Sequence, residues 1–287
     1  MGIYLPRTRP EALELKAAHP EAMPIAGGTD VMVEINFDRH RPDALIDLTR
    51  IPELAVWRRE DGHIFLGAGV TYTRIMQELP GLRAWFQAAR TVGSPQIRNR
   101  ATVGGNLGTA SPAGDALPVI AAHDGEVIMI SARGERSLAW HEFLVGVKRN
   151  ALHPDELIAG VRWRTVRGPG SFSKIGTRNA MVISMAGLCL LLDEEARAVR
   201  VALGSVAPTI VRAAEAEAFA AAEIARAGAW DDPKATLSEG TLAEFGERVA
   251  GAAKPIDDIR GTARYRRHVC VVLGRRALAW ALADRRG

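Results

Sequence analysis

Residues 102–118 read TVGGNLGTASPAGDALP. These 17 residues hold four glycines, an Asn, two Thr, a Ser and an Asp, and neither Lys nor Arg. Glycines let the backbone approach a ligand with no Cβ in the way, and short hydroxyls add donors and acceptors beside it. Gly104 and Gly105 permit that close approach, and Asn106, Thr109 and Ser111 offer side-chain hydrogen bonds. Asp115 either accepts from the hydroxyls of a ribose or ribityl chain or caps a helix beginning at Ala116. The run lacks the Lys of a P-loop, and it lacks the three-glycine fingerprint and closing acid of a Rossmann dinucleotide site. It reads as a loop suited to a large neutral ring plus a diphosphate, with a purely structural surface loop as the alternative.

A second glycine stretch lies upstream, IAGGTD at 25–30. A short strand ends at Ala26, two glycines and Thr29 follow, and VMVEI resumes after Asp30. A diphosphate leaving water needs several backbone donors, which such a stretch can turn toward it. Alone, AGGTD is also what an ordinary turn looks like. The two stretches lie about 75 residues apart and can clasp an extended ligand from both sides. FAD is one such ligand, and composition leaves other extended dinucleotides open.

The surrounding pattern alternates. EALELKAAH (11–19) and GLRAWFQAARTV (81–92) have helical spacing, Thr71 can cap a helix running to about Leu79, and DALPVIAAH reads as a short helix. MPIAGG (23–28), ALIDL (44–48), HIFLGAG (63–69), EVIMIS (126–131) and LIAGVRW (157–163) have strand length. This is α/β alternation. TVRGPG at 165–170 marks a domain boundary. Beyond it come three strand-like segments, GSFSKIGT (171–178), SMAGLCLLL (184–192) and AVRVALGSV (198–206), then helices at 212–228, 238–252 and about 262–285. Strands followed by helices predict a smaller α+β domain, an antiparallel sheet with helices on one side. The domains are therefore 1–168 and 169–287.

Bulk properties narrow the class. The chain has 287 residues, 47% hydrophobic and 24% charged, enough for two domains and a sizeable core. It shows no apolar run of membrane-spanning length and no secretory pattern at its start, so a cytoplasmic location is expected. Cys189 and Cys270 lie in apolar runs and read as buried thiols; two Cys fall short of the four thiolates of an ordinary iron–sulfur cluster. The net charge of +4 is scattered, which argues against nucleic acid as a partner. Its densest cluster is RYRRH at 264–268, where Arg264, Arg267 and His268 share a helix face, either solvated or a docking surface for an acidic partner. His19, His40, His63 and His123 fall at element ends, in solvated or capping roles.

AGGTD followed by SPQIRNRATVGGNLGTASPAGDALP closely resembles the FAD-binding medium subunit of molybdenum hydroxylases, the xanthine dehydrogenase and aerobic carbon monoxide dehydrogenase family. The likeness extends to GSVAPTIVRAAEAE (204–217) and GTARYRRHVCVVLGRRAL (261–278), nearly the whole chain, with the motifs in order. It implies a two-part FAD-binding domain of the vanillyl-alcohol-oxidase type followed by a smaller C-terminal α+β domain. It implies that Ala26, Gly27, Gly28, Thr29, Asp30 and Val31 wrap the diphosphate, and that Thr102, Gly105, Asn106, Thr109 and Asp115 hold the ribityl–diphosphate region. Val92 and Gly93 would lie close to the cofactor, Leu157 or Ile158 would make an apolar contact, and Lys174 would reach the flavin end, with a surface strand position as its alternative. Neither glycine stretch contains a His, so no covalent flavin link is expected there. The sequence departs from the family in APTIVR, where APTPVR is common, and in Arg264, where an acid is frequent. It also lacks the cysteine-bearing insertion of one branch.

The resemblance further implies a relay. A large molybdenum subunit would oxidise the substrate, a purine or other N-heterocycle by the family's pattern, and a small subunit would carry two [2Fe–2S] clusters. The FAD held here would pass the electrons to NAD+, oxygen or another acceptor. No catalytic residue and no metal ligand is expected in this chain. The competing readings are a self-sufficient FAD oxidoreductase of the same fold and a basic nucleic-acid-binding module.

Overall fold

A computed structural model describes residues 2–286. The backbone gathers into two compact units: one runs up to Glu78 and adds Gly93–Ser111 and Asp124–Arg164, and the other comprises Leu79–Val92, Pro112–His123 and the chain from Thr165 onward.

The first unit holds two main sheets. Strands Gly2–Tyr4, Ala44–Asp47 and Met23–Ile25 form a parallel sheet in that order. The helix Arg9–Ala18 lies between two of its strands in sequence; Thr8 caps it by accepting from the Glu11 amide at 3.3 Å. Its buried Lys16 donates to the carbonyls of Pro20 (2.8 Å) and Ala22 (2.6 Å), which fixes the chain entering Met23–Ile25. The larger sheet runs Trp57–Glu60, His63–Gly67, Leu157–Arg164, Glu126–Ser131, Gly134–Ala139, with every pairing antiparallel. The α/β alternation thus yields parallel pairing in the small sheet only. One face of the larger sheet buries Ile128, Ile130, Leu157 and Ala159 against Ala12, Ile51 and Leu54.

The second unit is built on an antiparallel sheet ordered Gly170–Ile175, Ala186–Asp193, Ala198–Gly204, Val211–Arg212. Helices Ala214–Arg226, Glu239–Gly251 and Ala263–Asp284 cover one face, onto which Ala186, Leu188, Leu190 and Leu192 point. The expectation of helices on one side only needs correction. Helices Arg83–Thr91 and Ala116–Ala122 pack on the same sheet, and a Cβ on Gly204 would lie 2.8 Å from the Pro118 side chain. Burial on both faces is why Ala186–Leu192 is apolar at every position rather than every second one. It is also why Cys189 is fully buried, with burial pushing its thiol far up, while the Cys270 thiol in the helical layer is pushed up to about 12. Among the described residues no helix is long and apolar enough to cross a membrane.

Candidate functional site

The run 102–118 is not the loop its composition suggests. Val103–Thr109 is a helix, and Thr102 caps it by accepting from the Gly105 amide at 3.0 Å. Val103 and Leu107, one turn apart, are fully buried and hold the helix onto the first unit despite its three glycines. The glycines divide by role. Gly104 packs inward: its amide donates to the Ala68 carbonyl at 2.8 Å, and a Cβ there would lie 2.5 Å from the Ala68 Cβ. Gly105 and Gly108, three residues apart, are exposed. A Cβ on Gly105 would meet only Thr102 Oγ1 at 3.2 Å, and one on Gly108 only Ile158 Cδ1 at 3.9 Å. They form an open strip of bare helix backbone.

The first glycine stretch docks against the same segment. A Cβ on Gly27 would lie 1.9 Å from the Arg100 carbonyl oxygen, so only glycine lets the two backbones touch. Gly28 takes φ +74°, the left-handed region. Thr109 donates its hydroxyl to Asp30 at 3.0 Å and ties the far end of the helix to the stretch. VMVEI then forms the short helix Val31–Asn36. The amides of Gly27, Gly28, Thr29, Asp30 and Val31 donate to no described residue. The structure therefore brings Ala26–Val31 together with Thr102, Gly105, Asn106 and Thr109.

This donor set fits a dinucleotide diphosphate. Five consecutive amides without a protein acceptor match an anion that must be compensated on leaving water. Asn106 Oδ1 is buried with no hydrogen-bond partner, a cost that a ligand donor would remove. The glycine strip leaves room that a side chain would fill.

Three candidates belong to the second unit. Asp115 sits at the N-cap position of Ala116–Ala122 but makes no capping bond. Its Oδ2 accepts instead from Lys174 Nζ at 2.6 Å and from the Thr91 hydroxyl at 3.1 Å, and Lys174 also donates to the Thr91 carbonyl at 3.1 Å. Both charged side chains are buried, 8% exposed for Lys174 and 4% for Asp115, so Lys174 is not a surface residue. Burial pushes the Asp115 carboxyl above the usual carboxylate range, and the Lys174 ammonium pulls it back. Oδ1 of Asp115 has no partner. Val92 closes the helix Arg83–Thr91, its amide donating to Ala89 at 3.2 Å.

The remaining candidates lie in the first unit. Gly93 takes φ +45° and accepts from Arg98 Nη1 at 3.0 Å. Leu157 points into the core cluster with Ile128 and Ile130, whereas Ile158, on the opposite face of the strand, reaches toward Gly108. Two contributors escaped the sequence reading. Gly108 carried a usable signal, its three-residue spacing from Gly105; Thr91, buried in a helical pattern, carried none. His123 occupies a C-cap position as expected, but buried, with Nδ1 2.8 Å from the Val119 carbonyl.

Residues 1–163 match the family described as the FAD binding domain in molybdopterin dehydrogenase, and residues 233–281 match the CO dehydrogenase flavoprotein C-terminal domain. The chain is 37% identical over 194 residues to the nicotinate dehydrogenase FAD-subunit of Eubacterium barkeri, a match spanning 64% of this chain and 66% of that protein. It is 31% identical over 273 residues to the 6-hydroxypseudooxynicotine dehydrogenase complex subunit alpha of Paenarthrobacter nicotinovorans, spanning 91% and 87%. Its fold superposes on a chain of carbon monoxide dehydrogenase from Hydrogenophaga pseudoflava with a TM-score of 0.86 at 24% identity, covering 99% of this chain and 98% of that one.

Proposed function

Because the chain belongs to the family of FAD-binding subunits of molybdenum hydroxylases, we propose that it is the electron-relay subunit of a three-part complex. In this reading it receives electrons from a small subunit with two [2Fe–2S] clusters, which a large molybdenum subunit charges by oxidising its substrate. NAD+, oxygen or another acceptor then takes them, and the substrate is a purine or other N-heterocycle. The relatives named for nicotinate and 6-hydroxypseudooxynicotine are consistent with that substrate class.

When bound, FAD supplies redox chemistry that amino-acid side chains lack. The chain's own residues bind and orient it. The amides of Gly27–Val31 compensate the diphosphate charge, and Gly105 and Gly108 leave the backbone open to its approach. Thr102 and the Thr109–Asp30 bond hold those segments in register, and Asn106 Oδ1 takes a ligand hydroxyl. In the second unit Thr91 fixes Asp115 and Lys174 to one another; the resemblance assigns both, with Val92, to cofactor binding, as it does Gly93 and Ile158 of the first unit. The row of five unengaged amides beside an open glycine strip carries this reading.

Co-expression with candidate molybdenum and iron–sulfur subunits tests it. The expected product is a yellow complex of three chains whose released chromophore has the mass of FAD, while the isolated chain turns over no substrate. A complex without flavin, or robust turnover by the isolated chain, contradicts it.

A further inference from the structure

A segment outside both glycine stretches braces the cradle that they form. Residues 144–150 read LVGVKRN and fold as a hairpin, Leu144–Gly146 pairing with Arg149–Asn150 in a two-stranded sheet of its own. Buried Phe143 and Leu144 root it in the first unit, and the Ala151 amide closes its base on the Phe143 carbonyl at 2.9 Å. Its tip gains nothing from burial, since Val145 and Val147 are exposed. A lone hairpin is marginal in water, so bonds to its surroundings must hold the tip.

Those bonds come from Asn150 and Lys148 and run to the cradle. The Asn150 side chain donates to the Gly108 carbonyl at 2.8 Å, and the Lys148 amide donates to the Ala110 carbonyl at 3.2 Å. The Leu152 amide donates to Asn150 Oδ1 at 3.1 Å and so turns its Nδ2 toward Gly108. Both carbonyls lie at the C-terminal end of the helix Val103–Thr109, where no amide of the helix itself can reach them. Three glycines in seven residues make this helix intrinsically weak, so its ends matter. Thr102 caps one end and the hairpin caps the other. Another bond crosses to the first glycine stretch: Lys148 Nζ donates to Glu34 Oε1 at 2.7 Å, and Glu34 belongs to the helix Val31–Asn36 that follows AGGTD. The junction is strained as well as bonded. Lys148 takes φ +53° and Ala110 φ +47°, left-handed values that a β-carbon disfavours and that persist only where the surroundings fix them.

We propose that the hairpin Leu144–Asn150 is a positioning strap for FAD: Asn150 keeps the Gly105–Gly108 strip helical, and Lys148 holds Val31–Asn36, and with it the row of amides, against that strip. Both residues act through the backbone they hold and not by touching the cofactor. This rests on the placement of FAD on the two glycine stretches proposed above. FAD titration of the apo-protein tests it, with the melting temperature of each apo-variant measured alongside. Asn150→Ala removes the bond to Gly108 and is expected to raise the FAD dissociation constant about fivefold. Glu34→Ala separates strapping from plain charge. It removes a negative charge near the diphosphate, and relief of repulsion alone would tighten FAD binding; loss of the bond from Lys148 is expected to weaken it about two- to fivefold instead. Lys148→Arg keeps the pair and should bind FAD as the natural protein does, whereas Lys148→Met should bind at least as weakly as Glu34→Ala. An exposed pair adds little to folding, so these variants should melt within a few degrees of the natural protein. FAD affinity unchanged in Asn150→Ala, or unchanged or raised in Glu34→Ala, overturns the proposal. If the natural chain itself binds no FAD, the proposed function fails and this inference falls with it, an outcome distinct from variants that bind FAD as the natural chain does.

Discussion

The glycine stretches of the first unit and the Asp115–Lys174 group of the second are built by opposite means. The cradle subtracts. At Gly27, Gly28, Gly105 and Gly108 side chains are missing, and five amides are left without a protein acceptor. The Asp115 group adds: a carboxylate, an ammonium and a hydroxyl are driven into the interior and bonded to one another. Subtraction costs little as long as solvent reaches the amides. Buried charge is stable only while both partners are present. The first region should therefore tolerate substitution in stability and fail in binding, and the second should fail in stability first.

The largest effect is expected from Lys174→Met, which strands a buried carboxylate. Urea unfolding of the apo-protein near neutral pH should show a loss of about 3–5 kcal/mol. Asp115 titrates above its unfolded value, so its unpaired ionised form costs stability at high pH only, and the deficit should narrow as pH falls toward about 4. A deficit independent of pH would show that Asp115 is not the stranded group. Next comes Gly27→Ala, whose methyl overlaps the Arg100 carbonyl; repacking two backbones should cost about 1–3 kcal/mol. Gly104→Ala, against Ala68, should behave in the same way. If either melts like the natural protein, the division of glycines into inward and outward is wrong. Thr102→Ala removes a cap and should cost about 1 kcal/mol by thermal unfolding.

The two regions also differ in how far the sequence reveals them. The cradle's chemistry is legible because glycine and hydroxyl residues are concentrated in AGGTD and TVGGNLGT. Its conformation is not: glycine's poor helix propensity hides the helix Val103–Thr109, which tertiary burial of Val103 and Leu107 stabilises. The Asp115–Lys174 pair bridges 59 positions and carries no periodic signal, so only the folded unit brings its members together. Composition offered Asp115 a capping role, and burial beside an ammonium outcompetes it. RYRRH reads as one basic face; the buried position of Arg266 follows from the Met185 and Ser205 carbonyls, which lie 81 and 61 positions away. Most strands and helices of the C-terminal half are legible from apolar runs and alanine-rich spacing. The run AGLCLLL is legible as a strand, but the reading placed helices on one side of its sheet only, because the helices that add the second cover come from before residue 124, far from it in sequence.

The central claim is that outward glycines of the cradle serve the cofactor and not the fold, and Gly105→Val tests it most directly. A Cβ there meets only the Thr102 hydroxyl oxygen, so the apo-variant should melt within a few degrees of the natural protein, while flavin absorbance of the purified complex falls to a small fraction. Full flavin content in a normally folded Gly105→Val complex would contradict it.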